Sequence, residues 1–249
     1  MSKAVIVTGA SGLLGGAIAL AFGAKGWKVV AGYLGPRQSV DEVTAEINRG
    51  PGEALAMEAD IRDYSQVARL VNAAVAKWSR VDVMACVAGQ SLGRLTGTAR
   101  EKSLVEHSTE DWDLVVDTIL KGTFHCVKAV SGPMSAQKEG HIIIMASGTG
   151  LKPRKGASSY AAAKAGLFGL MKSAAMELGE SGIQVNAVNP GYVPHPGSRD
   201  ETPESIEAYK RQTLMNRTSE AGEVADFFVH LGGMRNVSGQ IFNLGNRIE

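Results

Sequence analysis

Tyr160 and Lys164 stand four residues apart at the head of an Ala-rich run, Ser158-Ser-Tyr-Ala-Ala-Ala-Lys164. On a helix that spacing projects both side chains from one face, a turn apart. Ser147 directly follows the apolar run 141–146, which reads as a buried strand. Its hydroxyl is therefore expected at that strand's carboxyl end, where open α/β sheets bind ligands. A phenol with an ordinary pKa of about 10 is a poor acid at neutral pH, and an ammonium held nearby favours its ionised form. Such a tyrosine can give or take a proton while a serine hydroxyl donates to the same substrate oxygen. A carbonyl that accepts a hydride needs a proton on its oxygen, so the trio suits carbonyl reduction or alcohol oxidation. A Tyr-x-x-x-Lys pair alone is common on amphipathic helices, and the surrounding elements must decide.

Those elements begin with Val5-Ile-Val-Thr-Gly9, a β-branched run that stops at glycine, followed by the helical stretch 17–22. Strand, glycine turn and helix open a βαβ unit. Gly9, Gly12 and Gly15 recur every three residues in that turn. The spacing allows a tight bend, a close backbone approach to a pyrophosphate and a helix amino terminus facing the anion. A second strand, 27–33, ends at Tyr33 without an acidic residue to grip an adenosine 2′-hydroxyl, and Arg37 follows shortly. An arginine there can pair with a 2′-phosphate, which favours NADP over NAD; it can equally be a solvated loop charge. A third strand is expected to close near Asp60 and Ile61. Asp60 either accepts from an adenine amino group or caps a helix at 65–78, a task Asp63 could also take. Further strands are predicted at 81–89, 183–188 and 239–244, and further helices at 40–48, 110–134, through the Tyr160 run to about 178, and at 223–231. This alternation predicts a Rossmann-like, doubly wound parallel sheet in a single α/β domain spanning 1–249. The segment of about 190–216 is expected to form a substrate loop with a small lid helix at 204–215, and 90–107 a polar loop beside the site mouth.

Composition narrows the function classes. The 249 residues are 44% hydrophobic with a formal net charge of +1, which gives no global reason for nucleic acid or an anionic membrane as partner. Met1-Ser-Lys-Ala-Val5 lacks signal-peptide character, no apolar run approaches a membrane span, and there are two cysteines, Cys86 and Cys126. A cytoplasmic protein is the expectation. Cys and His residues show no metal-ligand spacing.

Thr8-Gly9 with its glycine turn, Ala59-Asp60-Ile61, Ala88-Gly89, Ser147, Tyr160-x-x-x-Lys164, Asn189-Pro190-Gly191 and Ser238-Gly239-Gln240 occur in order over essentially the whole chain. In these motifs the chain resembles the short-chain dehydrogenase/reductase family. Within it the chain looks most like reductases of 3-oxoacyl thioesters of acyl carrier protein or coenzyme A. The resemblance implies that Tyr160 donates the proton, Lys164 binds the nicotinamide ribose and Ser147 orients the carbonyl. It implies a dinucleotide, NADPH by preference with NAD as the alternative, lined by Gly9, Ser11, Gly12, Leu14 and Gly15 at the pyrophosphate. Asp60 and Ile61 would border the adenine, Ala88 and Gly89 the adenosine ribose side, and Pro190, Gly191 and Val193 the nicotinamide; Tyr33 and Arg37, at and shortly after the end of the second strand, complete the candidate cofactor-binding set. It also implies a homotetramer or homodimer acting on a small carbonyl or alcohol, with an acyl thioester as one option.

Four departures from the family pattern stand in the chain. Leu13 stands where a glycine is usual, Cys86-Val87 replaces a pair of asparagines, and Pro194-His195 replaces a threonine. Ile119 stands in place of the asparagine that completes the catalytic tetrad. A slower or specialised enzyme is the expectation, with a secondary-alcohol dehydrogenase and a low-turnover dinucleotide-binding partner as alternatives. Lys152, Arg154 and Lys155 are candidates for a substrate phosphate or carboxylate, or form a solvated basic loop.

Overall fold

The protein's structure is a computed structural model, described over residues 2–89, 102–195 and 202–247. Seven parallel strands make one sheet in the order β3-β2-β1-β4-β5-β6-β7. They are β1 Ala4–Thr8, β2 Lys28–Tyr33, β3 Glu53–Glu58, β4 Val83–Cys86, β5 Gly140–Met145, β6 Ile183–Asn189 and β7 Ile241–Asn243. The central strands β1, β4 and β5 are buried along their whole length, which is why they read as continuous apolar runs rather than as alternation. Successive side chains serve opposite faces. Ile6, Met84 and Ile142 pack with helices α3 (Tyr64–Trp78), α4 (Thr109–Val116), α5 (Gly122–Gln137) and α6 (Ser158–Leu178). Val5, Val83 and Ile143 pack with α1 (Leu13–Ala24), α2 (Gln38–Arg49) and α8 (Ala221–Gly233). The strand order reverses between β1 and β4, which opens a crevice at their carboxyl ends.

Three features differ from the sequence reading. The helix expected over 110–134 is broken by a π-helical turn at Asp117–Lys121, between α4 and α5. The third strand stops at Glu58, leaving Asp60 in the turn beyond it. Asp63 caps α3, accepting from the Ser65 amide at 2.8 Å, so the capping reading of Asp60 is replaced. The small helix α7 covers Pro203–Lys210, and Thr202 and Ser205 close its amino end reciprocally. Residues 90–101 of the polar loop and 196–201 of the substrate loop lie outside the described residues. Among the described residues no helix is long and apolar enough to cross a membrane.

Candidate active site

The carboxyl ends of the strands open into a cleft of about 1210 Å³. Ser147, Tyr160 and Lys164 all line it, as do Gly9, Ser11, Gly12, Leu14, Gly15, Tyr33, Asp60, Ile61, Ala88, Gly89, Pro190, Gly191 and Val193. Arg37 is the exception. It lies on the exposed start of α2, outside the cleft lining, with Nε donating to the Asp41 carboxylate at 3.0 Å. Arg62 lines the cleft instead, its guanidinium held on the Asp60 carboxylate with an Nη2–Oδ2 distance of 2.6 Å. That contact keeps the Asp60 carboxyl below the ordinary range.

The three chemical side chains are tied together through backbone. Lys164 is 3% exposed, and its Nζ donates to the carbonyl of Met145, the last residue of β5, at 2.7 Å. Ser147 stands two residues further on, at the start of a short turn whose Thr149 amide donates to its hydroxyl at 3.3 Å. The turn packs directly on α6: a Cβ at Gly150 would sit 2.8 Å from the Lys164 carbonyl carbon. Only glycine permits that approach. Lys164 Nζ lies 5.7 Å from the centroid of the Tyr160 ring. Burial lowers the Lys164 pKa, and the neighbouring Tyr160 acts against that shift.

The other half of the cleft fits a dinucleotide. Helix α1 starts at Leu13 with Gly12 as its cap, and no side chain satisfies the first amides of the helix. They remain available to a phosphate, as the bare amino end of a helix does. A Cβ at Gly15 would meet the Gly9 carbonyl oxygen at 2.1 Å, so the loop closes this tightly only around glycine. Thr8 binds β1 to the end of β4: its hydroxyl donates to the Ala85 carbonyl at 3.4 Å and accepts from the Val87 and Ala88 amides at 3.1 and 3.2 Å.

A short chain dehydrogenase family model matches residues 3–205. The chain belongs to the short-chain dehydrogenase family. It is accordingly an NAD(P)-dependent oxidoreductase. Over 243 residues it is 35% identical to a 3-oxoacyl-[acyl-carrier-protein] reductase of Synechocystis sp., covering 98% of this chain and 95% of that protein. It is 30% identical over 244 residues to the 3-oxoacyl-[acyl-carrier-protein] reductase FabG of Thermotoga maritima, covering 97% and 96%. A crystal structure described as that of a short-chain dehydrogenase/reductase from Burkholderia xenovorans superposes with a TM-score of 0.87 at 21% identity, covering 99% of this chain and 97% of the other.

Against the pattern of short-chain dehydrogenases, Ile119 lies within the π-helical turn, 1% exposed, with Cγ1 3.2 Å from where a Cβ on Gly89 would stand. Its carbonyl accepts the Thr123 hydroxyl at 2.6 Å. Cys86 points into the core against Cys126, and this contact, with burial, pushes its thiol pKa up. The strand tie that a polar side chain at that position would offer is supplied from the other side by Thr8. Sequence reasoning missed Arg62, Tyr209, Gln212 and Arg247 as lining residues. Arg62, two residues after Asp60, carried a readable signal; Arg247 reaches the cleft only through the placement of β7.

Proposed function

We propose that this short-chain dehydrogenase reduces the ketone of a 3-oxoacyl thioester or related β-keto compound, with NADPH as cofactor and Tyr160 as proton donor. The observation that carries the reading is the buried Lys164 side chain, anchored on the end of β5 two residues before Ser147 and one helical turn from Tyr160. A bound NADPH supplies the hydride. The residues would supply the rest: the amides at the start of α1 would hold the pyrophosphate, Asp60 and Ile61 would border the adenine, and Pro190, Gly191 and Val193 the nicotinamide. Ser147 donates to the substrate oxygen and Tyr160 delivers the proton to it. The Lys164 charge stabilises the negative charge left on the phenol oxygen and binds the nicotinamide ribose. NADPH is favoured because β2 ends in Tyr33 rather than a carboxylate, and because the exposed Arg37–Asp41 pair is weak enough to yield its guanidinium to a 2′-phosphate.

The substrate class draws on the relatives named 3-oxoacyl-[acyl-carrier-protein] reductases. Glu180, in the turn after α6, puts a negative charge where carrier-protein reductases tend to be basic, which turns the reading toward small thioesters. We read the chain as a cytoplasmic homotetramer or homodimer, associating through the long helices and β7. The test is NADPH oxidation with acetoacetyl thioesters, run beside NADH. Tyr160→Phe should lower kcat about 10²- to 10⁴-fold. Equal turnover by the two proteins would remove Tyr160 from the chemistry.

A further inference from the structure

The substrate half of the cleft is basic. Lys152, Arg154 and Arg247 line it, together with His195. The only acid among the described lining residues is Asp60, which lies toward the dinucleotide and is held by Arg62. Among the described lining residues, Lys152 and Arg247 carry positive charge that a group docked there would meet.

Arg247 is the best-positioned of these cations. Its guanidinium carbon stands 5.3 Å from the centroid of the Tyr209 ring on α7, and Nη2 donates to Gln212 Oε1 at 3.2 Å. The Tyr209 ring packs in turn on Tyr192, with centroids 4.4 Å apart. The neighbouring Asn246 fixes the backbone: its carbonyl accepts the Leu214 amide at 2.8 Å, and its amide side chain donates to the Arg217 carbonyl at 3.1 Å. Both side-chain partners of Arg247 are neutral, so its position is set while its charge is uncompensated by them. Stacking leaves the planar guanidinium edge able to take a phosphate or carboxylate in two parallel hydrogen bonds. Lys152 adds a second positive charge from the turn after Ser147.

We infer that Arg247, supported by Lys152, forms a subsite for an anionic group on the substrate, remote from the reacting ketone. The group is a phosphate or a carboxylate, and the inference rests on the reductase reading above. It makes Arg247 a specificity-determining residue, acting on KM rather than on the chemical step.

The test compares three acetoacetyl-type substrates: the neutral N-acetylcysteamine thioester, the 4′-phosphopantetheine thioester, and an N-acetylcysteamine thioester whose acyl chain ends in a carboxylate. For wild type, kcat/KM for an anionic substrate should exceed that for the neutral one, and added salt should shrink the difference. In Arg247→Gln that preference should fall about tenfold or more, through KM, as expected for loss of a charge-assisted bidentate contact; Arg247→Lys should retain part of it. Loss with the phosphate arm alone identifies a phosphate site, and loss with the carboxylate arm alone a carboxylate site. A merely structural role on α7 would depress all three substrates alike, and that result, like an unchanged preference, overturns the inference. Failure of wild type to reduce even the neutral thioester is a different outcome, overturning the reductase reading and the inference with it.

Discussion

At the residue scale the site is legible where its members are close in the chain and hidden where folding brings them together. Tyr160 and Lys164 declare themselves through helical spacing, and Ser147 through its place after an apolar run. Arg37 had the right neighbourhood in sequence, yet its guanidinium turns to Asp41, four residues along the same helix. Arg247 had no local signal at all, since only the sheet puts it beside Tyr209. Ile119 is the most consequential single residue. Its side chain carries no polar atom, and Lys164 donates to the Met145 carbonyl. On the proposed mechanism, proton resupply would run through solvent, a backbone carbonyl or Thr118, whose residue lines the cleft and whose hydroxyl donates to the Leu114 carbonyl at 2.6 Å. Ile119→Asn should raise kcat, by roughly tenfold at most because the proton donor itself is unchanged, and should alter its pH dependence. The same change places an amide in a 1% exposed apolar site and should cost about 1–3 kcal/mol in denaturant unfolding. Unaltered turnover and pH profile would remove position 119 from the proton path.

At the element scale, what matters is how α6 is pressed against the end of β5. The Lys164–Met145 bond and the contact of Gly150 with the Lys164 backbone fix the helix relative to the turn that carries Ser147. Gly150→Ala should therefore force the turn off the helix, costing about 1–3 kcal/mol by overpacking and lowering kcat more than KM. Retention of both wild-type stability and wild-type kcat would show that the turn is not held this way. The π-helical turn at Asp117–Lys121 was not readable, because an extra residue in a helix needs no glycine or proline to mark it. Its sequence, Asp-Thr-Ile-Leu-Lys, continues the helical pattern on both sides. The glycine turn at α1 was readable for the opposite reason: positions 9 and 15 tolerate no Cβ, and that requirement shows in the sequence.

At the scale of the whole molecule, the alternation of apolar runs and amphipathic stretches was enough for the doubly wound sheet, because fully buried parallel strands leave little else for such runs to be. Strand order needed the structure. One consequence of that order is His141, on β5 between β4 and β6, 2% exposed, with Nε2 2.8 Å from Asn186 Nδ2. The Asn186 nitrogen also donates to the Val237 carbonyl, which identifies it as the donor and leaves the imidazole neutral. Burial lowers the His141 pKa from 6.5 to about 4. Below pH 6.5 the unfolded chain binds a proton that the folded chain refuses, so stability is full above that pH and falls as pH drops toward 4. The loss should approach roughly 3 kcal/mol. Urea midpoints between neutral pH and pH 5 should show it, and His141→Gln should flatten the slope; an equal slope in both proteins would assign the effect elsewhere. The layering has one more effect. Cys86 on β4 and Cys126 on α5, the chain's two cysteines, meet inside the sheet–helix interface, 3% and 0% exposed. No alkylating reagent reaches either sulfur until that helix lifts from the sheet, so the protein carries, without any engineered label, a built-in clock for the loosening of its own interior.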